Sequence, residues 1–168
     1  MDQLESFEGG LTALLPRLRR FAHALSRNSA DADDLTQAAV ERALRSRAQW
    51  EAGTRLDSWL YRIMRNLWID TVRSRGRKEE LHVAVEEAER IGEDPRAGIE
   101  AAIDLGKAMA AMQRLPDEQR EIVALILIEG FGYRECSEIL ELPIGTVSSR
   151  LVRGRTALVQ MLGGSDGE

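Results

Sequence analysis

Apolar residues recur along this chain with a helical period in stretch after stretch. Leu11, Leu14, Leu15, Leu18, Phe21 and Leu25 form one stripe, with Arg17, Arg19, Arg20 and Arg27 outside it. With Thr12 as the N-cap, Pro16 would stand at the fourth helical position, where its missing N–H matters little, and Asn28 would close the helix. A second helix is expected over SADADDLTQAAVERALRSR, to about Arg47, capped by Ser29 or Asp31 and opening on three aspartates that suit the helix dipole. Its apolar side, Leu35, Ala38, Ala39, Ala43 and Leu44, is mostly small, so it can lie close to a neighbour. Asp33, Asp34, Gln37 and Glu41 remain outward and read, by themselves, as a solvated face.

The stretch DSWLYRIMRNLWIDTVRSRGRK, preceded by Leu56, predicts a third helix. Leu56, Trp59, Leu60, Ile63 and Leu67 fall on one side at i, i+3, i+4, i+7 and i+11, and that side wants a core. Arg62, Arg65, Asn66 and Arg73 fall beside it, with Tyr61, Trp68 and Val72 beyond. Arginine forks pair with phosphate and base edges, and aromatic rings stack on a base that has left its duplex, so this surface suits nucleic acid. A solvated helix with two extra core aromatics explains the same pattern, and periodicity leaves both readings open. Before this helix, AQWEAGTRL reads as a loop at Gly53, with Trp50 either at an exposed turn or capping the core. Gly76 marks the expected stop, and Arg73, Arg75, Arg77 and Lys78 suit a C-terminal dipole.

From Glu79 the pattern weakens. EELHVAVEEAERIGEDPRAG is acidic, holds Gly92, Pro95 and Gly98, and lacks a wide apolar face, so it reads as a linker with room for one short helical turn. IEAAIDLGKAMAAMQRL predicts a helix through Ile103, Met109, Ala110 and Met112, weakened by Gly106, its methionines core rather than chemistry. The run IVALILI could be a buried strand by composition. Pro116, Asp117 and Glu118 supply a helical first turn and Gly130 a stop, so helix is the expectation. YRECSEIL then forms a short helix, ELP a tight connector and IGTVSSRLVRGRTALVQML a longer helix, the plan of a helix-turn-helix whose second member enters the major groove. Val147, Leu151, Leu158 and Leu162 would face inward, with Thr146 as cap. Ser148, Ser149, Arg150, Arg153 and Arg155 are left for base edges and phosphates. A helical hairpin that binds no DNA is the alternative, against which stand three arginines and no carboxylate between Gly145 and Gln160.

Composition narrows the classes. The 168 residues allow one ordinary domain or two small ones, and small domains bury only about 60% of their unfolded surface, so help from a partner fits. One cysteine, Cys136, excludes an internal disulfide and a cysteine-rich zinc site, and His23 and His82 lie far apart. No catalytic residue, metal site or cofactor is expected, and no enzyme. No apolar run approaches the roughly 20 residues that span a bilayer, and MDQLESFEGG has neither a basic start nor an apolar signal core, so a cytoplasmic protein without membrane insertion is expected. Net charge, −5, argues against nucleic acid until it is divided: residues 1–78 carry +4, residues 79–113 carry −6 and residues 114–168 carry −3. Different partners for the different parts follow. All the cations are arginine except Lys78 and Lys107.

In their order and spacing, DADDLTQAAVERAL, WEAGTRLDSWLYRIMRNLWIDTVR and LPDEQREIVALILIEGFGYRECSEILELPIGTVSSRLVRGR resemble the extracytoplasmic-function sigma factors of the sigma-70 superfamily, over about Leu14 to Leu162. The resemblance implies an all-α protein of two small helical domains. Sigma region two, a three- or four-helix bundle, would cover residues 10–78, an acidic linker 79–98, and the helix-turn-helix of sigma region four 99–163. Asp33, Asp34, Gln37 and Glu41 would dock on the beta-prime clamp helices of RNA polymerase core, which replaces the passive reading of that face. The loop from Trp50 to Leu56, with Arg62, Asn66, Asp70 and Arg73, would recognise and open the minus-ten element and hold an extruded base. Thr146, Ser148, Ser149, Arg150 and Arg153 would read or brace the minus-thirty-five element. The beta flap and an anti-sigma factor are further implied partners, stress-responsive transcription the implied setting, and the linker would run toward the RNA exit path.

One departure stands out: Ser148 occupies the place where many relatives carry Lys or Arg before the serine and arginine of GTV-x-SR. A direct phosphate or guanine contact is thereby lost, and the minus-thirty-five sequence does not carry over. The chain is also expected to carry no appended sensory domain. Two rivals remain. A sigma-fold decoy that sequesters an anti-sigma factor would need no DNA face, and a dimeric helix-turn-helix repressor would give residues 1–78 no work.

Overall fold

The amphipathic stretches become helices, and no strand forms among the described residues, in a computed structural model that describes residues 2–79 and 99–163. The linker expected over 79–98 lies, apart from Glu79, outside them. The elements are α1 (Asp2–Leu25), α2 (Ser29–Arg45), a single 3-10 turn at Arg47–Gln49, α3 (Leu56–Glu79), α4 (Ile99–Gln113), α5 (Asp117–Val123) running into a π turn at Ala124–Ile128, α6 (Tyr133–Leu140) and α7 (Ile144–Gly163). Helices α1 to α3 make one compact unit, and α4, α5 and α7 belong to another.

In the first unit each helix packs on the other two. Phe7, Leu11, Leu18, Phe21 and Leu25 of α1 meet the small residues Ala32, Ala39 and Ala43 of α2 and Leu60, Tyr61 and Met64 of α3 in one core. Helix α1 begins ten residues before the expected cap, and Thr12 lies inside it, its hydroxyl donating to the Glu8 carbonyl at 2.8 Å. The reason is the stripe, which continues backward through Leu11 to a buried Phe7. Burying those two side chains is worth about 1.5–3 kcal/mol each, enough to offset the roughly 3 kcal/mol that a proline inside a helix costs. Pro16 therefore sits in mid-helix.

Asn28 opens α2, and neither Ser29 nor Asp31 is its cap. The backbone of Asn28 is extended, its Oδ1 accepts from the Asp31 N–H at 2.8 Å, and its Nδ2 donates to the Asp31 carboxylate at 2.9 Å. At the other end of the unit α3 passes through Gly76 to Glu79. A glycine in a helix costs only about 1 kcal/mol relative to alanine. One residue earlier, the Arg75 fork reaches both carboxylate oxygens of Asp31, at 2.5 and 2.6 Å, and ties this end of α3 to the first turn of α2. Tyr61, expected beside the arginines, is buried instead: its ring lies 4.9 Å from that of Phe21, and the Arg17 guanidinium is 5.7 Å from its centroid. Two neighbours cover α3, so its buried stripe is Leu60, Tyr61 and Met64, while Leu56, Trp59, Ile63 and Leu67 are half-buried.

In the second unit IVALILI is helical, as its flanks predicted. The π turn is closed by the Glu129 N–H on the Ala124 carbonyl at 2.9 Å, and Gly130, at φ 77°, ends it. Ile122 to Leu125 are buried, whereas Leu127 and Ile128 are exposed. Arg120 is 1% exposed. It donates to the carbonyls of Leu115 (3.1 Å) and Gln113 (3.5 Å) and to the Asp117 carboxylate, joining the end of α4 to the start of α5. On α4, Met112 is buried as expected and Met109 is half-buried, whereas Ala111 is buried in place of Ala110, which is exposed.

Helix α6, Glu141 in the left-handed conformation (φ 54°), Leu142, Pro143 and α7 follow one another in helix-turn-helix order. The Pro143 carbonyl accepts from the N–H groups of Thr146 and Val147 at 2.9 and 3.1 Å, so α7 starts at Ile144 and Thr146 lies in its first turn instead of capping it. Val147 and Leu151 are buried as expected, Leu158 is half-buried and Leu162 is exposed. Gly154 is buried too: a Cβ there would stand 2.7 Å from Val123 Cγ2 and 3.5 Å from Gln119 Cβ. Gly154→Ala should therefore destabilise the second unit by about 1–3 kcal/mol through overpacking. In urea unfolding, Val123→Ala should recover part of that loss when combined with it, and strictly additive losses would show that the contact is not the cause.

Candidate polymerase and nucleic-acid interfaces

The small side of α2 turns inward and leaves Asp33, Asp34, Gln37 and Glu41 exposed on an arc of roughly 100°. Asp33 accepts from Arg19 at 3.2 Å, and Glu41 from Gln37 and Arg45, both at 3.4 Å. Such exposed pairs are worth about 0–1 kcal/mol, so a partner could take over these groups at little cost. Asp31, the other acid of the first turn, has a different place. Its side chain is 12% exposed, and the Arg75 fork holds its carboxyl below the ordinary carboxylate range, against burial and with help from Asn28.

On α3, Arg62, Asn66, Asp70 and Arg73 share an arc of roughly 80°. Arg62 is half-buried and the other three are exposed. Because the helix continues through Gly76, Arg77 joins the same arc, and Asp70, Arg73, Gly76 and Arg77 line an open depression. The sequence reading assigned Arg77 only to the helix dipole; the signal for its place is the length of α3. A carboxylate amid arginines repels phosphate but accepts from base amino groups, so this stripe can meet backbone and base together.

The loop before α3 is held on several sides. Trp50 is half-buried, with its ring 5.6 Å from that of Phe7, and Phe7 lies 6.1 Å from Trp59, edge on. Thr54 closes a turn on the Glu51 carbonyl through its N–H (3.1 Å) and its hydroxyl (2.6 Å), with Gly53 at φ 91°. Leu56, half-buried, starts α3. Next to it Asp57 receives the Arg55 fork at 2.7 and 3.1 Å. Burial raises the Asp57 carboxyl, but Arg55, the Ser58 N–H and Arg17 outweigh it and leave it below the ordinary value.

On α7 the five residues expected at DNA do not share one face. Thr146, Ser149, Arg150 and Arg153 fall within roughly 100°, whereas Ser148 lies about 100° from Ser149 on the opposite flank, with Arg155. Arg153 is exposed and reaches back to the carbonyl and hydroxyl of Ser149 at 3.3 and 3.4 Å. Arg150, 21% exposed, pairs with Glu118 of α5 at 3.2 Å. Thr146 and Ser148 are half-buried and Ser149 is exposed. Burial pushes the Cys136 thiol up to about 12, which keeps it protonated and unreactive at neutral pH. Among the described residues no cluster could hold a metal ion, and no helix is long and apolar enough to cross a membrane.

The Asp31 geometry has a pH signature. A depressed carboxyl stabilises the fold above the ordinary aspartate value and loses that contribution as pH falls through its lower folded value. Asp31→Asn should lower the stability of the first unit by about 1 kcal/mol at neutral pH, water around the half-exposed Arg75 keeping the loss below that of a buried pair. Thermal melts from pH 7 downward should show the gap to wild type closing below the ordinary aspartate pKa, and a gap that persists in acid would assign the loss to something other than this charge.

The family model for sigma-70 region 2 matches residues 11–78 and that for sigma-70 region 4 matches residues 105–158. The chain is 34% identical to the ECF RNA polymerase sigma factor EcfG of Rhodopseudomonas palustris over 96% of its own length and 88% of that protein's. It is 41% identical to the ECF RNA polymerase sigma factor SigE of Mycolicibacterium smegmatis over 84% of its length, spanning 56% of that relative. Among solved structures, the sigma factor RpoE in complex with the anti-sigma factor NepR, from Bartonella quintana, superposes with a TM-score of 0.85 at 32% identity, over 95% of this chain and 98% of the other. With α1 to α3 folded as a region-two bundle and α6 and α7 in helix-turn-helix order, the chain belongs to the extracytoplasmic-function sigma factors of the sigma-70 family.

Proposed function

We propose that this chain brings RNA polymerase core to a set of promoters and helps to open them, and that an anti-sigma factor holds it in check. The observation that carries the reading is the α3 stripe of Arg62, Asn66, Asp70 and Arg73, which mixes cations with groups able to accept from and donate to a base, on the helix that the loop of Trp50 and Leu56 leads into. In this reading Asp33, Asp34, Gln37 and Glu41 dock on the clamp helices of the polymerase. The stripe and loop take the minus-ten element, with Arg77 added to them. Thr146, Ser149, Arg150 and Arg153 take the minus-thirty-five element, and Ser148 braces it from the other flank. The relative seen with NepR supports the anti-sigma partner. The beta flap as a contact, and a path for residues 79–98 toward the RNA exit, complete the reading.

Energetics assign the polymerase its share. Taking a base out of its stack costs a few kcal/mol, and a pocket recovers only part of that. A chain of this size cannot cover several base pairs alone. The isolated protein should therefore bind promoter duplex weakly and the holoenzyme tightly and with steep salt dependence; equal footprints from the two would contradict the division. Run-off transcription with purified core is the direct test: a chain that captures an anti-sigma factor yet initiates from no genomic fragment is a decoy. Arg153→Ala should cost about 1–3 kcal/mol of holoenzyme affinity, unevenly across minus-thirty-five variants, if it reads a base. A uniform loss would make Arg153 a phosphate contact, and no loss would remove it from the interface.

A further inference from the structure

We propose that the amino-terminal turns of α1, through Phe7, Glu8 and Gly10, are a positioning element for the loop of residues 46–56, and so help to set which minus-ten sequences the protein accepts. This rests on the reading of Trp50 to Leu56, within that loop, as part of the minus-ten site. Three contacts carry it, and they fall at the two ends and the middle of the loop. Glu8 pairs with Arg47 at 3.8 Å where the loop begins. Phe7, 2% exposed, meets the Trp50 ring at 5.6 Å in the middle and reaches Trp59 just beyond. Gly10 faces Leu56 where the loop ends, so closely that a Cβ would stand 2.7 Å from Leu56 Cδ2.

The loop's own bonds are local. Gln49 donates to Ser46, Trp50 to Arg47 and Thr54 to Glu51, each from its backbone N–H. Those bonds shape turns; the Arg55 fork on Asp57 ties the end of the loop to α3, and the contacts with α1 place the Trp50 turn. The Trp50 indole N–H is buried with no acceptor among the described residues, so the ring's seat there rests on its apolar contacts and not on a hydrogen bond. Without Phe7 the ring has less to hold it. Phe7 shares in the bundle core, but Leu11, Leu18, Phe21 and Leu25 supply most of what α1 contributes to it.

The experiment uses the full chain in holoenzyme with two promoter pools, one randomised at minus-ten and one at minus-thirty-five, and compares wild type, Phe7→Ala and the conservative Phe7→Leu. Phe7→Ala should change the relative use of minus-ten variants by about tenfold, the scale of one mismatched base pair. It should leave the minus-thirty-five ranking and affinity for core unchanged, with Phe7→Leu close to wild type. A uniform loss across both pools, or no change, would overturn the proposal, because a merely structural residue scales all promoters alike. Gly10→Ala is the second variant: alanine favours helix and should fold, and by displacing Leu56 it should also shift minus-ten use. In the free chain, acrylamide quenching of indole emission should rise in Phe7→Ala, and unchanged quenching would overturn the contact whatever transcription shows. Failure of the wild type to initiate anywhere would overturn the sigma-factor reading itself, leaving the quenching result to decide the contact.

Discussion

Gly154 fixes the rotation of α7. Where that helix crosses α5 there is no room for a side chain, since Val123 and Gln119 stand where a Cβ would be. With this point in contact, Val147 and Leu151 must lie inward and the arc of Thr146, Ser149, Arg150 and Arg153 must face away. A turn of one residue, roughly 100°, would carry arginines toward the core, where an unpaired charge costs several kcal/mol. The same constraint acts on α2, where Ala32, Ala39 and Ala43 form the contact side and Asp33, Asp34, Gln37 and Glu41 are left outside. Small residues bury little area each, but they bring helix backbones together, and many weak dispersion contacts then add. In both units the residues with least side chain decide which surface is offered.

The seat of α7 depends in turn on a buried cation. It packs on both α4 and α5, so the corner at Leu115 and Pro116 sets the groove it fills. Arg120 holds that corner from inside. Its guanidinium takes up carbonyls at the end of α4, where a helix leaves its last C=O groups without helical donors, and the first-turn carboxylate of α5. Helix C-terminus and buried charge thus satisfy each other.

What could be read from the sequence follows the range of the forces involved. The helix-turn-helix was legible because its signals are local: Gly130 as a stop, ELP between two amphipathic stretches, and apolar residues at Val147 and Leu151. The outward face of α2 was legible from period alone, and on α3 so were Asn66 and Arg73. The start of α1 was not, since Gly9, Gly10 and Pro16 read locally as breakers, while Phe7 earns its place through Trp50 and Trp59, more than forty residues away. Tyr61 could not be placed on a wheel because two neighbouring helices cover α3 where the wheel assumed one. Asn28 reads locally as an end and is also a beginning, and Gly76 reads as a stop although Arg75 binds Asp31 across the bundle. Ser148 and Ser149, neighbours in the chain, fall on different flanks of α7 because successive helical residues stand roughly 100° apart.

The charged groups divide by what they would lose to a partner. Arg75 with Asp31 and Arg55 with Asp57 are forked pairs whose carboxylates are 12% and 14% exposed, so breaking either would strand an acid with little water to receive it. On the outward faces the pairs are single and well solvated: Arg19 with Asp33 at 3.2 Å, and Arg45 with Glu41 at 3.4 Å. Arg153 of α7 is bonded to Ser149 of its own helix at 3.3 Å or more. These can be exchanged for contacts with another macromolecule at a cost of about 1 kcal/mol or less each. The fold thus keeps its strongest forked pairs at helix ends, where they fix geometry, and leaves exposed single pairs on its outward faces, where another macromolecule could compete for them. Binding can then use those charges without loosening the bundles that aim them.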